Sequence, residues 1–390
     1  MNAKLTYMLS DGSTRSRTVG LPGLSQVTVN PAETIGAADF STQVTCLQGK
    51  TISVDRTMTW TGPGAPSPEA HNSVGVSSPE TTWYLPEGCS GYGFETWTLV
   101  VNPNNASTNV TLTYMIEGVG PRQFNRVVPA HARATYSMQA DIGKQNASIE
   151  VASSLPIVAE RSMYRYNRRE GSDSIGASEP ARTFYLAEGS TAWGFTTYVL
   201  VQNPDAGKAT VTLTCMTATG PRTLAPFTMA PGTRQTVLMN SLIPNTDFST
   251  RVSSNVPIIA ERAMYWGGGT PLGEACHDSI GLDSPHGDFF LPDGQTSDGW
   301  ETYTLVQNPN NTDVKVMVSY LLSDGTTSGS FITSVPADSR STFNMGSQLP
   351  SGRASIAVSC LTPGKQILAE RSMYGNNRGI GTDTIGTWAH

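Results

Sequence analysis

The chain runs to 390 residues with a net charge of −6, and only 14% of its residues are Asp, Glu, Lys or Arg. So weak and acidic a charge gives no electrostatic reason to expect nucleic acid or an anionic membrane surface, and no apolar run approaches the roughly 18 residues of a membrane-spanning helix. Thr, Ser, Asn, Gly and Pro are abundant, yet apolar residues arrive in regular short runs, the profile of a turn-rich, all-β secreted protein and not of a disordered chain.

In chain order, Ala3-Lys4-Leu5-Thr6-Tyr7 alternates apolar and polar residues, as a half-buried strand does. Ser10-Asp11-Gly12 then supplies a hairpin turn. Val54-Asp55-Arg56-Thr57-Met58-Thr59-Trp60 reads as a further strand, and Asn72-Ser73-Val74-Gly75 closes the segment. A fuller pattern starts at Tyr84-Leu85-Pro86-Glu87-Gly88, a short strand with an acidic turn. Gly93 to Pro103 follows, rich in β-branched and aromatic residues and ended by Asn-Pro, since Pro cannot donate to a ladder. Val110 to Tyr114, the turn Gly120-Pro121-Arg122, and Val128 to Thr135 with its Pro-containing turn come next. Strands at 147–152 and 157–164 precede the closing Asp173-Ser174-Ile175-Gly176. The same order returns from Tyr185 to Gly281 and from Phe290 to Gly386.

Ala159-Glu160-Arg161-Ser162-Met163-Tyr164 marks the period. It recurs as Ala260-Glu261-Arg262-Ala263-Met264-Tyr265 and as Ala369-Glu370-Arg371-Ser372-Met373-Tyr374. With Arg56, the arginines lie 105, 101 and 109 residues apart (161−56, 262−161, 371−262). A period of that size is one small domain. Seven short strands per period with no helical periodicity predict an all-β tandem array of four antiparallel β-sandwich units of immunoglobulin or fibronectin type, with closed barrels as the alternative. The units are expected at 1–79, 80–180, 181–286 and 287–390. The first lacks its opening strands and should expose a sheet edge. Simple truncation is the favoured account, ahead of strand exchange into filaments or a homo-oligomer. Met1-Asn2-Ala3-Lys4 lacks the apolar core of a secretion signal, so a secreted role expects these residues to be a piece of a longer product.

Four polar positions recur: the strand acid (Asp55, Glu160, Glu261, Glu370), the adjacent Arg (Arg56, Arg161, Arg262, Arg371), the opening-turn acid (Glu87, Glu188, Asp293) and the closing acid (Asp173, Asp278, Asp383). Neighbours along a strand face opposite sides, so Glu160 and Arg161 cannot pair with each other. One charge must sit among apolar residues and needs a partner. A structural ion pair, clamping each unit to the next, is the expectation. The turn acids also offer hard oxygen ligands suited to Ca2+; no other cofactor is expected. His71 and His277 share a slot filled elsewhere by Ser172 and Thr382. His277-Asp278-Ser279 cannot converge as a triad from one extended segment, and no catalytic motif is present. The five cysteines fall at unequal places and read as free thiols, with a Cys215–Cys276 bridge as the alternative. Trp83, Tyr84, Phe94, Trp97, Tyr185, Trp193, Phe195, Tyr198, Trp300 and Tyr303 read as core, with a sugar-stacking face as the alternative.

As a set, the acidic opening turn, the Gly93–Pro103 segment, the Val128–Thr135 turn, the Glu-Arg strand and His277-Asp278-Ser279-Ile280-Gly281 resemble a repeat of large secreted proteins of actinobacteria and related environmental bacteria. The resemblance covers residues 80–390 and, less well, 1–79. It implies extracellular β-sandwich repeats of unassigned function. Asp55 in place of Glu, and Ser172 and Thr382 in place of His, depart from it. The expected role is a non-enzymatic, elongated extracellular or cell-surface stalk or adhesive module, contacting other copies of itself or extracellular polymers; a multivalent carbohydrate-binding array is the alternative.

Overall fold

β-branched and aromatic residues pack well on a pleated surface that is half buried against a core, and the alternating runs fold accordingly. The computed structural model describes residues 1–65, 68–267 and 274–388. The first copy contributes β1 (Asn2–Leu9), β2 (Thr14–Gly20), β3 (Phe40–Cys46), β4 (Asp55–Trp60) and β5 (Glu69–Val74). The second supplies β6 (Glu80–Leu85), β7 (Phe94–Asn102), β8 (Thr108–Ile116), β9 (Gly120–Val128), β10 (Ala132–Ser137), β11 (Ala147–Arg165) and β12 (Glu170–Ile175). The third follows with β13 (Ala181–Leu186), β14 (Thr196–Asn203), β15 (Ala209–Thr217), β16 (Gly220–Thr223), β17 (Phe227–Met229), β18 (Thr233–Leu238), β19 (Phe248–Trp266) and β20 (Ala275–Ile280). The fourth ends the chain with β21 (Asp288–Leu291), β22 (Glu301–Asn308), β23 (Val314–Leu321), β24 (Thr327–Val335), β25 (Ser339–Asn344), β26 (Ser355–Cys360), β27 (Leu368–Gly375) and β28 (Ile380–Ile385). No helix among the described residues is long and apolar enough to cross a membrane.

In the second copy β11 serves two antiparallel sheets. Its first half lies between β6 and β8, with β9 beyond; its second half lies between β12 and β7, with β10 beyond. The two strands expected here are thus one strand of 19 residues. It changes sheet around Pro156, where the register shifts between Ala152 and Ile157, because Pro has no N–H to continue the ladder. β19 repeats the arrangement with Pro257, and the fourth copy splits the strand into β26 and β27. Between the sheets lie Leu85, Val100, Leu112, Tyr114, Ile149 and Ile157, all buried.

Among its described residues the first copy has only β2-β1-β3 and β4-β5. Residues 25–29 align with β25 yet form no strand, since the strand that β25 pairs with, β22, has no counterpart there. Val44 is consequently half exposed where its equivalent Val358 is buried. The five cysteines are free thiols, with Cys215 and Cys276 buried and unbridged.

The array is not elongated, which corrects the expectation. β12 lies against β5 on one side and β20 on the other, and β28 closes back onto β5. Four inner sheets therefore radiate from one axis, each running outward in the order closing strand, Glu-Arg strand, then two more, as in β12-β11-β7-β10. The closing strands explain the closure. Polar sequences such as Glu-Gly-Ser-Asp-Ser-Ile bury all six residues, and both faces of such a strand need polar partners. A ring supplies them to every copy, whereas a linear array leaves its ends bare. The axial gap measures about 10 Å³, enough for one water molecule at most.

Candidate functional site: a ring of buried charge

Strand alternation sends Glu160 and Arg161 to opposite faces of their sheet, and in the ring each face meets a neighbour. Arg56 reaches Glu160 at 2.9 Å and Asp173 at 3.0 Å in the second copy. Arg161 donates to both oxygens of Glu261, at 3.0 and 2.9 Å, and to Asp278 in the third. Arg262 donates to Glu370 at 2.7 Å and Asp383 at 2.8 Å in the fourth. Arg371 donates to Asp55 of the first copy at 3.1 Å, which closes the circle. Arg161, Arg262 and Arg371 are fully buried.

The opening turns add a second layer. The backbone N–H of Glu87 donates to Glu261 at 3.0 Å, and that of Glu188 to Glu370 at 2.8 Å. Tyr265 and Tyr374 donate their hydroxyls to Glu87 and Glu188 at 3.0 and 3.2 Å. Asp293 is held by Arg353 at 2.8 Å, by Gln26 of the first copy at 3.1 Å, and through its carbonyl by Arg371 at 3.0 Å.

Each full cluster has more carboxyls than guanidinium groups, and the imbalance is met by protons. Burial pushes Asp278 up to about 7 despite Arg161, and pushes Asp383 well above the carboxylate range. Burial likewise raises Glu160 to about 7 against the pull of Arg56. Burial also opposes ionisation of Glu370, but Arg262 and a hydrogen bond from Asp383 outweigh it and hold that carboxyl low. Burial lowers His277 to about 4. Its Nδ1 lies 3.1 Å from Arg262 and its Nε2 3.2 Å from the Tyr374 hydroxyl, a geometry that suits a neutral ring accepting at Nδ1. In the equivalent slot Ser172 donates to Asp278 at 2.7 Å.

Two groups, Glu87 with Glu261 and Asp278, and Glu188 with His277 and Asp383, bring their oxygen and nitrogen atoms within 4.8 Å of one another. Each surrounds a guanidinium, Arg161 or Arg262, that already holds those atoms. A divalent cation would compete with that arginine for the same lone pairs. His277, Asp278 and Ser279 alternate along β20 and do not converge. The arrangement fixes blades to one another.

Two recurrent sets escaped the sequence reading. Arg234 donates to the carbonyls of Gly88 and Ala147 at 2.7 and 3.3 Å, and Arg340 to those of Gly189 and Phe248 at 3.3 and 3.2 Å, each binding the preceding copy. Asn102, Asn203 and Asn308 lie buried in the Asn-Pro corners and donate to turn carbonyls. Their recurrence at fixed places after the strand and after the Pro turn was the available signal. Of the aromatics, Trp83 and Phe195 are core, and Trp97 and Trp300 are half buried. Trp193 is 71% exposed, as is Tyr92, at 84%, one copy earlier.

Residues 170–260 are similar to a family described as "Family of unknown function (DUF5719)", a span that straddles the junction of the second and third copies. Among solved structures the chain is similar to Thermotoga maritima 1070, at 18% identity over 27% of this chain and 96% of that one, with a TM-score of 0.25. It is also similar to dimeric latent PorU from Porphyromonas gingivalis, at 12% identity over 77% of this chain and 29% of that one, with a TM-score of 0.15. No curated protein matches the chain.

Proposed function

We propose that this protein is a rigid, non-catalytic interaction scaffold that works outside the cell or on its surface. The observation that carries the reading is the fate of the recurrent charges. Asp55, Arg56, Glu160, Arg161, Glu261, Arg262, Glu370 and Arg371 bond one another across blade junctions, so what repeats serves assembly. What varies lies on exposed turns. Tyr92, Trp193 and Asp298 occupy one equivalent position, each with positive φ (53°, 59° and 56°). A fixed frame with interchangeable turn residues suits binding in the way loops on a scaffold do. A closed ring supplies rigidity in place of the reach of a stalk. The weakly charged, Thr- and Ser-rich composition supports an extracellular setting.

A carbohydrate ligand is the second reading. The Trp193 indole N–H donates to Asp247 at 3.3 Å, which orients an exposed ring that can stack on a sugar face. Cosedimentation with insoluble cell-wall and plant polysaccharides tests both readings. Retention should fall about ten-fold or more when Tyr92→Ser and Trp193→Ser are combined, a loss of roughly 1.4 kcal/mol, with the melting temperature unchanged. Retention on no polymer would remove the adhesive reading, and hydrolysis abolished by a single substitution would remove the non-catalytic one.

A further inference from the structure

The first blade carries an empty cradle whose lining is known from the second and third. Each of those two blades receives its opening turn with the same groups, whereas the fourth holds Asp293 through Arg353, Gln26 and Arg371. Arg161 lies 3.4 Å from both the carbonyl and the carboxylate of Glu87, Tyr265 donates to that carboxylate, Glu261 accepts the turn N–H, and Arg234 binds the carbonyl of Gly88. The equivalents around the first blade are Arg56, Tyr164, Glu160 and Arg133, and residues 1–79 contain no opening turn for them to hold.

Part of their bonding in the other blades is missing here. Arg133 turns to Asp39, whose side chain is 84% exposed, at 3.3 Å. The Tyr164 hydroxyl keeps the 3.2 Å contact with His71 that Tyr374 makes with His277, but among the described residues it has no turn carboxylate to match the Tyr374–Glu188 bond. Arg56 leaves 40% of its side chain exposed, against 0%, 1% and 0% for Arg161, Arg262 and Arg371. Beside these groups run two sheet edges. β3 corresponds to the strand that pairs with the opening strand elsewhere, as Ile149 does with Leu85 and Val151 with Trp83. β4 corresponds to the strand that pairs with the second one, as Arg161 does with Thr98. Neither edge is paired among the described residues.

We propose that this cradle binds a strand–acidic turn–strand segment supplied from outside residues 1–390, with the chemistry of residues 80–104: an aromatic-Leu-Pro-Glu-Gly strand and turn, then a β-branched strand ending in Asn-Pro. The turn carboxylate lies between Arg56 and Tyr164, its N–H donates to Glu160, its Gly carbonyl accepts from Arg133, and the two strands extend the sheets at β3 and β4. A second copy of this chain is the poorer occupant. Glu87, Glu188 and Asp293 are each already bonded inside their own ring, and lending one would strand a buried arginine.

The test uses the 390-residue protein and a synthetic peptide with the sequence of residues 80–104, carrying Cys89→Ser. Saturable binding is expected, with amide protection appearing in residues 40–46 and 55–60. Glu87→Gln in the peptide should weaken binding about ten-fold or more, as loss of a charge-assisted bond does. Tyr164→Phe in the protein should weaken it several-fold while leaving the melting temperature in place. No saturable binding, or equal affinity for the Glu87→Gln peptide, would overturn the proposal. So would a dimer in sedimentation whose formation alone protects residues 40–46 and 55–60, since the cradle would then belong to a second copy.

Discussion

A guanidinium withdrawn from water is tolerated only when carboxylates surround it, and removing either side leaves an uncompensated buried charge. Arg161→Met strands Glu261 and Asp278 together, so it should cost ~3–5 kcal/mol in urea unfolding; Arg371→Met strands only Asp55 and should cost less. Equal losses would show that the acids do not set the cost. The carboxyls also predict the pH response. Burial, reinforced by Glu170, raises Glu69 to about 10, and burial raises Glu160, Glu170 and Asp278 to about 7. Each holds a proton in the fold that the unfolded chain releases, so its contribution is present at low pH and fades as pH climbs from the ordinary carboxyl range to the folded value. His71 and His277, lowered by burial to about 3 and about 4, act oppositely and cost stability as pH falls below the ordinary imidazole value. Above neutrality the histidines no longer contribute, while Glu69 still does. The melting temperature should therefore decline between about pH 7 and about pH 8.5, and Glu69→Gln should flatten that decline.

Along each element, the closing motif ends in glycine for want of space. A Cβ on Gly281 would lie 2.9 Å from the Ala260 carbonyl and 3.0 Å from Leu186, and one on Gly386 would lie 2.9 Å from Phe289. Gly281→Ala should cost roughly 1–3 kcal/mol, the usual penalty of overpacking, read as a lower urea midpoint with unchanged slope. The strands themselves were legible in the sequence because their signals are local: the Val/Thr alternation of β8, the Asn-Pro stop of β7, the Pro turn before β10. The long strand was not. Pro156 reads as a break in the chain, but two sheets can share a strand that bends at a Pro, so the ladder changes partner while the backbone continues. The partner of Arg161 was half legible. Alternation required a buried charge with an acid opposite it, and Asp278 was among the candidates named, but a strand pattern does not say which copy supplies the acid.

For the whole molecule, spacing fixes the number of copies but leaves the angle between them open, and that angle separates a rod from a ring. The departures at Asp55 and Asn72 were visible in the sequence, but only the closed structure brings both to one junction, that between the fourth blade and the first. There Asn72 stands where Asp173, Asp278 and Asp383 stand at the other three, and its side-chain amide donates to Asp55 at 3.1 Å. Among the described residues Arg371 accordingly has one acid partner from the next copy, and its Nη2 makes no hydrogen bond. This junction has the fewest arginine–acid pairs of the four, and the ring should open there first. Asn72→Asp should give Nη2 the carboxylate that Arg56, Arg161 and Arg262 already have, raising stability by roughly 1–3 kcal/mol as a hydrogen bond to a charged group does. The gain should vanish in the Arg371→Met background, which a double-mutant cycle measures directly. Scattering supplies the companion reading, a radius of gyration near the ~21 Å of a compact chain of this length. A larger radius that contracts in Asn72→Asp would reveal a ring already partly open at this junction. A destabilised Asn72→Asp variant would instead mean that the junction is held by the Ser53 and Thr387 hydroxyls, 2.5 Å apart, and by the Gln26–Asp293 bond, with the arginine secondary.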